Sequence, residues 1–162
     1  MVKLHVRDVM TTQVVTLKGT DTIKHATVLF ALHTISGAPV VDDDRHLIGI
    51  ISETDILELI VKYQDQLSID HPAAYMLTSP MDDTADNEDK DVKAAGDAIS
   101  KMLVKDIMTR TVLTTTPDAM IVDVVEEMIK TNVNRVPVLE KGILVGIISR
   151  GDIIFSIYKK KR

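Results

Sequence analysis

The sequence contains no cysteine and no tryptophan, and aromatic residues make up only 3% of its 162 residues. The lack of cysteine excludes disulfide bonds, a thiolate nucleophile and a zinc site with cysteine ligands. With so few aromatic residues, the core has to be built from Ile, Val, Leu and Met. No apolar run approaches the roughly 20 residues that a membrane-spanning helix needs. We therefore expect no membrane association and a cytoplasmic location.

The charge balance is acidic, with a formal net charge of −5. Surfaces that bind nucleic acids are basic, so this balance argues against DNA or RNA as the main partner. The exception is the basic C-terminal tail at residues 159–162. We interpret it as a solvated helix end that complements the helix dipole, and nucleic-acid binding through this tail remains an alternative.

Motifs for catalysis or metal binding are also missing. The five histidines do not combine with other ligands at a metal-binding spacing, so we predict no metal site. Neither a glycine-rich phosphate loop nor a nucleophile elbow occurs. We therefore expect that the protein is not an enzyme and requires no cofactor.

The chain repeats itself in three blocks that keep their order. Residues 6–11 (VRDVMT) recur 98 positions later as residues 104–109 (VKDIMT). Residues 38–41 (APVV) match 136–139 (VPVL), and after a gap of one residue 49–56 (GIISETDI) match 146–153 (GIISRGDI). An internal repeat of this kind determines the architecture before local propensities do.

Each copy predicts the element order β-α-β-β-α. The predicted first strands are residues 14–16 and 112–116, and the predicted last helices are residues 53–62 and 150–159. We expect the intervening helices to start at Thr20 or Asp21 and at Thr116-Pro117, which are capping signals. A single unit cannot cover its own apolar faces. The predicted fold is therefore α/β (α+β), with two pseudo-symmetric units packed sheet to sheet.

The segment between the copies differs in composition. Residues 82–91 are strongly acidic, and residues 69–77 and 92–103 could be helical. The acidic run lacks the glycine and the spacing of a calcium loop, so we interpret it as a solvated connection. The predicted organisation is a first motif at residues 1–62, an acidic and helical linker at 63–103, and a second motif with the basic tail at 104–162.

The block Ser-x-x-Asp follows the last predicted strand in both copies, as Ser52 with Asp55 and Ser149 with Asp152. A helix that starts there offers unpaired N–H groups to a phosphate. A carboxylate in its first turn can accept hydrogen bonds from the vicinal hydroxyls of a ribose. The alternative is purely structural, because Ser-x-x-Asp at a helix start is close to a capping box. The occurrence of two copies in the same context favours the functional interpretation.

The three blocks together resemble the CBS domain, a family found in cystathionine β-synthase, IMP dehydrogenase, chloride channels and the gamma subunit of AMP-activated protein kinase. The resemblance covers residues 4–62 and 102–160. It implies a two-motif Bateman module that binds AMP, ADP, ATP or S-adenosylmethionine in clefts between the motifs. Such modules often pair into homodimers.

The resemblance also implies roles for individual residues. Asp55 and Asp152 match the ribose ligand, Ser52 and Ser149 match ribose or phosphate contacts, and Thr54 adds a hydroxyl in the first copy. Ile35 and Val133 match an adenine-packing position. The segments that lead into the first strands match a segment whose backbone reads the adenine edge, and they contain Thr12, Val14, Arg110 and Val112. The central Ala38-Pro39 and Val136-Pro137 complete the set, and Arg135 matches a phosphate-binding position.

The two copies differ in charge around these residues. The second copy has Arg135 and Arg150, where the first has Gly37 and Glu53. Arginine binds phosphate strongly, whereas a carboxylate repels it. We therefore expect the Asp152 cleft to prefer phosphorylated adenosine and the Asp55 cleft to be weaker or to take a less anionic ligand.

The predicted function is a regulatory, energy-sensing module that binds an adenosine-type ligand and signals to a regulated protein. One alternative is a dimeric scaffold that keeps the fold but binds no ligand. The other is the nucleic-acid binder that uses the basic tail.

Overall fold

A computed structural model of the chain describes residues 4–67 and 96–159. A short 3-10 turn at Val6–Asp8 opens the described chain. The elements that follow are α1 (Ile23–His33), β1 (Gly37–Val41), β2 (Leu47–Ser52), α2 (Glu53–Leu67), α3 (Val104–Ile107), α4 (Ile121–Thr131), β3 (Arg135–Glu140), β4 (Ile143–Ser149) and α5 (Arg150–Lys159). The acidic run at residues 82–91 and the possible helix at 69–77 lie outside the described residues.

The mixed α/β class predicted from the repeat is confirmed. Strand β1 pairs with β2, and β3 pairs with β4, in two separate two-stranded sheets. The second pair is antiparallel, with Arg135 opposite Ser149 and a register shift between Val138 and Leu139. Among the described residues, no helix is long and apolar enough to cross a membrane.

The prediction of a strand at the start of each copy is wrong. Residues 14–16 have no strand pairing, and in residues 112–116 only Thr115 forms a bridge, parallel to Val138. The Thr115 N–H donates to the Pro137 carbonyl at 3.1 Å, and the Leu139 N–H donates to the Thr115 carbonyl at 2.8 Å. A single bridge of this kind does not extend into a ladder, so the β-branched residues form an extended segment only.

The predicted helix starts are also a few residues early. Helix α1 begins after Thr22, whose Oγ1 accepts the His25 N–H at 3.1 Å, while the Asp21 carboxylate accepts the Lys18 N–H at 2.7 Å. Helix α4 begins after Met120, because Thr116 and Pro117 lie in a turn before it. The Pro117 carbonyl there accepts the Arg7 N–H at 3.0 Å.

The described chain divides into two compact units, and neither is a single copy of the repeat. Of the described residues, one unit contains 4–16, 39–50 and 110–159, and the other contains 17–38, 51–67 and 96–109. We call them the Asp152 unit and the Asp55 unit, after the carboxylate of the repeated motif that each contains. The opening segment of each copy thus belongs to the compact unit that holds the motif carboxylate of the other copy.

In the Asp152 unit, the opening segment of the first copy packs with α4, β3 and β4. The Val6 N–H donates to the Ala119 carbonyl at 2.9 Å, and the Ile121 N–H donates to the Leu4 carbonyl at 3.0 Å. A buried cluster of this unit has only aliphatic side chains and Met128, and consists of Val6, Ile121, Val124, Met128, Val136, Val138, Ile148 and Ile153. Because the opening segment contributes Val6 to this cluster, it is a structural part of the Asp152 unit.

The Asp55 unit repeats the arrangement with the roles exchanged. The Ile23 N–H donates to the Met102 carbonyl and the Val104 N–H donates to the Asp21 carbonyl, each at 2.8 Å. Its buried hydrophobic residues include Leu17, Ile23, Ala26, Phe30, Ala38, Ile51, Leu59, Ile60, Ile99, Val104 and Met108. Val104 therefore takes the place that Val6 has in the other unit.

Candidate functional site

The Ser-x-x-Asp block of the second copy forms a complete capping box at the start of α5. The Asp152 carboxylate oxygen Oδ2 accepts the Ser149 backbone N–H at 2.9 Å and the Ser149 hydroxyl at 2.7 Å. In return, the Asp152 N–H donates to Ser149 Oγ at 3.2 Å. This box satisfies N–H groups that a helix start otherwise leaves unpaired. The motif is therefore a capping box, as the structural interpretation of Ser-x-x-Asp predicted. The box uses only one oxygen of the Asp152 carboxylate.

The first copy has the same turn at the start of α2. Asp55 Oδ2 accepts the Ser52 N–H at 2.7 Å and the Ser52 hydroxyl at 2.9 Å. Both serines and both aspartates are half-buried. The two carboxylates accept the same pair of hydrogen bonds, because the residue types and their spacing after the strand are the same.

The second carboxylate oxygen distinguishes the two turns. In the Asp55 unit, Oδ1 of Asp55 accepts a hydrogen bond from Thr109 Oγ1 at 3.4 Å. Among the residues that the structure describes, none donates a hydrogen bond to Oδ1 of Asp152. A carboxylate oxygen can accept from two donors. Oδ1 of Asp152 is thus open to a ligand as an acceptor, whereas Oδ1 of Asp55 already accepts a hydrogen bond from Thr109.

Thr109 is a residue that the sequence analysis did not assign to the site. It closes the opening segment of the second copy, and Thr11 closes that of the first. In the Asp152 unit, Thr11 and Ile147 exchange two backbone hydrogen bonds of 2.9 Å, which place Thr11 beside the last part of β4. The repeated Met-Thr pair was the available signal, and only the exchange of opening segments shows that Thr109 approaches Asp55.

Gly146 makes this close approach possible. A Cβ atom at Gly146 would lie 2.7 Å from the Met10 sulfur and 3.1 Å from the Thr11 carbonyl oxygen. The backbone oxygen cannot move away as a side chain could, so a larger residue would displace the opening segment. The glycine that both copies share in this strand therefore has a packing role in the Asp152 unit.

Arg135 begins β3 directly opposite Ser149 in the antiparallel pair. Its side chain is half-buried. This register places residue Arg135 on the strand next to the capping turn of α5. Arg135, one of the two arginines predicted to bind phosphate, thus lies on the strand that pairs with β4, the strand that leads into the Ser149–Asp152 turn.

Arg150 has a different environment from the one that the sequence suggested. Its Nε donates to the Val133 carbonyl at 3.0 Å, and one terminal nitrogen lies 3.3 Å from the Met128 carbonyl and 3.5 Å from Asn132 Oδ1. These acceptors form the C-terminal end of α4 and the residues just after it. The guanidinium group is engaged with the helix end, and a role for Arg150 in binding phosphate stays a prediction.

The remaining predicted residues fall into both units. The Asp152 unit contains Thr12, Val14, Pro39, Arg110, Val112, Val133, Val136 and Pro137, and the Asp55 unit contains Ile35, Ala38 and Thr54. Thr12, Arg110 and Thr54 are exposed, whereas Val14, Val112, Val133 and Ile35 are half-buried. Ala38, Pro39, Val136 and Pro137 are buried, so their side chains contribute to the core.

No group of three or more histidine, aspartate or glutamate side chains converges in residues 4–67 and 96–159 to hold a metal ion. The polar groups of the two turns are hydroxyls and carboxylates, and Arg135 lies on the strand beside the second turn. This set is suited to hydroxyl and phosphate groups of a ligand.

The CBS domain family matches this chain twice, at residues 6–62 and 104–159. The chain therefore belongs to the CBS domain family. It is 37% identical to the uncharacterized protein MJ1426 of Methanocaldococcus jannaschii, over 94% of this chain and 90% of that protein. Three other curated relatives are longer, and the chain spans only 40%, 41% and 60% of their lengths.

Solved structures with the same fold include two with bound adenosine compounds. The chain superposes on CBSX2, which was crystallised with AMP, with a TM-score of 0.70 and 24% identity, covering 98% of both chains. It superposes on the CBS domain pair of protein MJ0100, which was crystallised with 5-methylthioadenosine and S-adenosylmethionine, with a TM-score of 0.67 and 24% identity, covering 99% of this chain and 100% of that one. The fold of a CBS domain pair predicted from the repeat is thus confirmed.

Proposed function

We propose that this protein is a regulatory module that binds an adenosine-type ligand, either AMP, ADP, ATP or S-adenosylmethionine, at its Ser-x-x-Asp turns and signals to a partner protein. The observation that carries this proposal is the half-buried carboxylate that each turn holds in a fixed orientation, in a chain of this family. The complexes of CBSX2 with AMP and of MJ0100 with S-adenosylmethionine support it.

The ribose is the part of the ligand that the Asp152 turn would recognise. Capping uses Oδ2, so the vicinal hydroxyls would donate to Oδ1. Because the capping bonds fix the carboxylate before binding, little side-chain entropy would be lost when the ligand arrives. Asp152 would thus stabilise the helix and bind the ligand at once.

The adenine and the phosphate would contact other residues of the Asp152 unit. Val14, Val112 and Val133 are half-buried and apolar, as a planar base requires. The first-turn amides of α5 and the guanidinium group of Arg135 would take the phosphate. In the Asp55 unit, the equivalent of Arg135 is Gly37, so we expect weaker binding of phosphorylated ligands there.

The ribose contact can be tested from the ligand side by isothermal titration. We expect AMP to bind, and we expect 2′-deoxy-AMP to bind at least tenfold more weakly, because a buried acceptor would lose its donor. Equal affinity for the two compounds would contradict the ribose assignment. An absence of heat with AMP, ATP and S-adenosylmethionine, together with an unchanged melting temperature, would favour the scaffold alternative.

The proposal includes a homodimer. On α5, three large side chains at helical spacing are exposed to solvent: Ile154 (57%), Phe155 (65%) and Tyr158 (72%). An exposed apolar patch of this kind is typical of an interaction surface. Light scattering after size exclusion should give a dimer, and Ile154→Asp with Tyr158→Lys should give a monomer that keeps its circular dichroism spectrum.

Under this proposal the two motifs are residues 1–62 and 104–162, joined by the linker at 63–103. The module would act in the cytoplasm as an energy sensor without catalysing a reaction. Ligand binding can change its affinity for a partner only as far as the ligand prefers one of two conformations. The regulated protein would therefore be found by comparing pull-downs with and without AMP.

A further inference from the structure

Arg150 occupies the first position of α5, two residues before Asp152, but its side chain extends to another element. Its guanidinium group reaches the Val133 carbonyl, the Met128 carbonyl and the Asn132 side chain at 3.0, 3.3 and 3.5 Å. The last carbonyls of a helix have no partners within the helix, and a nearby cation is favourable there. The cation therefore binds to the C-terminal end of α4 and to the two residues that follow it.

The backbone reinforces this connection. The Arg150 N–H donates to the Asn134 carbonyl at 3.0 Å, and the Val133 N–H donates to the Met128 carbonyl at 3.1 Å. Together these bonds join the end of α4, the segment before β3 and the first turn of α5. Val133 and Asp152 are the residues assigned to the adenine and to the ribose. The distance between Val133 and Asp152 thus depends on the segment from Met128 to Asn134. Arg150 binds this segment at both ends, through its side chain at Met128 and through its backbone N–H at Asn134.

The first copy provides an internal comparison. The Ile35 N–H donates to the Phe30 carbonyl and the Glu53 N–H donates to the Ser36 carbonyl, both at 3.0 Å, so the backbone arrangement is the same. Glu53 has no donor for the carbonyls at the end of α1. Glu53 therefore cannot make the side-chain connection that Arg150 makes in the second copy.

We infer that Arg150 is a positioning residue, which fixes Val133 relative to Asp152 through the end of α4, and that it does not bind the phosphate of a ligand. This inference rests on the proposed function for its binding consequence, but the connection itself exists without ligand. If Arg150 bound the phosphate, its replacement would weaken the binding of AMP and not of adenosine. If it is a positioning residue, its replacement weakens the binding of both compounds equally. The two roles can therefore be separated by comparing these two ligands.

The first measurement is hydrogen exchange on the ligand-free protein, with Arg150→Met and Arg150→Lys beside the wild type. In Arg150→Met we expect the amide of Val133, and the amides at the end of α4 that Arg150 contacts, to exchange about tenfold faster. The reason is that the charge-assisted hydrogen bonds of the guanidinium group are lost. Arg150→Lys keeps the charge without the forked donors, so its rates should fall between the two. Glu53→Met should leave the matched amide of Ile35 unchanged. Unchanged exchange at Val133 in both Arg150 variants would overturn the inference.

The second measurement is the affinity of the same proteins for AMP and adenosine by isothermal titration. We expect both dissociation constants to rise by the same factor, about fivefold, as the binding-competent arrangement becomes less populated. A loss confined to AMP in Arg150→Met, with AMP affinity retained in Arg150→Lys, would overturn the inference and make Arg150 a phosphate ligand. If the wild type bound neither compound, the proposed function would fail, and hydrogen exchange alone would decide whether the connection exists.

Discussion

The Asp152 unit and the Asp55 unit share their backbone arrangement but differ at a few side chains. Both have a capping box after a strand, a left-handed residue after the first long helix, and an opening segment supplied by the other copy. They differ at position 150, where arginine replaces the glutamate of position 53. They also differ at the aspartate. In the part of the chain that the structure describes, Asp55 accepts a hydrogen bond from a threonine and Asp152 does not. The shared residues build the fold, and the differing residues would set the strength of each site.

The largest effect should come from the matched core positions Ile51 and Ile148, which are both fully buried. Replacing either isoleucine by alanine removes three carbons and leaves a cavity, so we expect each change to lower the free energy of unfolding by about 3 kcal/mol. Urea denaturation followed by circular dichroism measures this loss. A loss below about 1 kcal/mol in one variant would show that the two positions are not equivalent.

The exchange of opening segments gives the next largest effect. Val6→Ala should cost about 2 kcal/mol, because it removes buried methyl groups from the core of the Asp152 unit. We expect hydrogen exchange to accelerate in α4 of the second copy, and not in α1, which follows Val6 in its own copy. Val104→Ala is the matched control and should accelerate exchange in α1. Faster exchange in the helix of the same copy would contradict the exchanged arrangement.

The left-handed residues after α1 and α4 should respond differently to glycine. Thr34 has a φ of 53° and Asn132 a φ of 56°. This conformation is costly for a β-branched residue and tolerated by asparagine, so Thr34→Gly should stabilise the protein by about 1 kcal/mol. Asn132→Gly should stabilise it less, because Asn132 also accepts a hydrogen bond from Arg150. Thermal unfolding measures both, and a lower melting temperature for Thr34→Gly would contradict the prediction.

The smallest effect concerns the turn between β1 and β2. Hydrogen bonds from the backbone N–H groups of His46 and Asp44, together with the nearby His46 side chain, hold the pKa of Asp42 below its ordinary value of 3.8. A lowered pKa in the folded state stabilises the protein above pH 3.8 and loses that contribution as the pH falls through the folded-state pKa. Asp42→Asn should therefore flatten the acid side of the stability curve slightly. An unchanged acid profile would show that the carboxylate contributes nothing to this turn.

The sequence predicted the elements that depend on local pattern. The last helix of each copy follows from Ser-x-x-Asp after an apolar run, and both helices start at the predicted residue, although α2 extends to Leu67. The first strands were mispredicted because β-branched residues favour extended backbone whether or not a neighbouring strand is present. The helix starts were misplaced because Thr22 caps α1 and the Pro117 carbonyl is used by Arg7.

The side-chain partners of the site depend on contacts between residues far apart in the sequence. The repeat identified Asp55 and Asp152, but not that Thr109 approaches Asp55, because the opening segments are exchanged between the copies. The charge of Arg150 suggested a phosphate contact, and the carbonyls at the end of α4 are a competing set of acceptors that no sequence pattern reveals. Residue types thus predicted the chemistry of the site, while its partners required the fold.

The central claim is that the aspartate of each turn binds an adenosine ligand, with the Asp152 turn the stronger for phosphorylated ligands. Isothermal titration of AMP into the wild type, Asp152→Ala and Asp55→Ala tests it most directly, with Asp152→Asn as the control that keeps a capping oxygen. The account predicts that AMP binding is lost in Asp152→Ala, weakened in Asp152→Asn and retained in Asp55→Ala. AMP binding of wild-type strength in both alanine variants would contradict it.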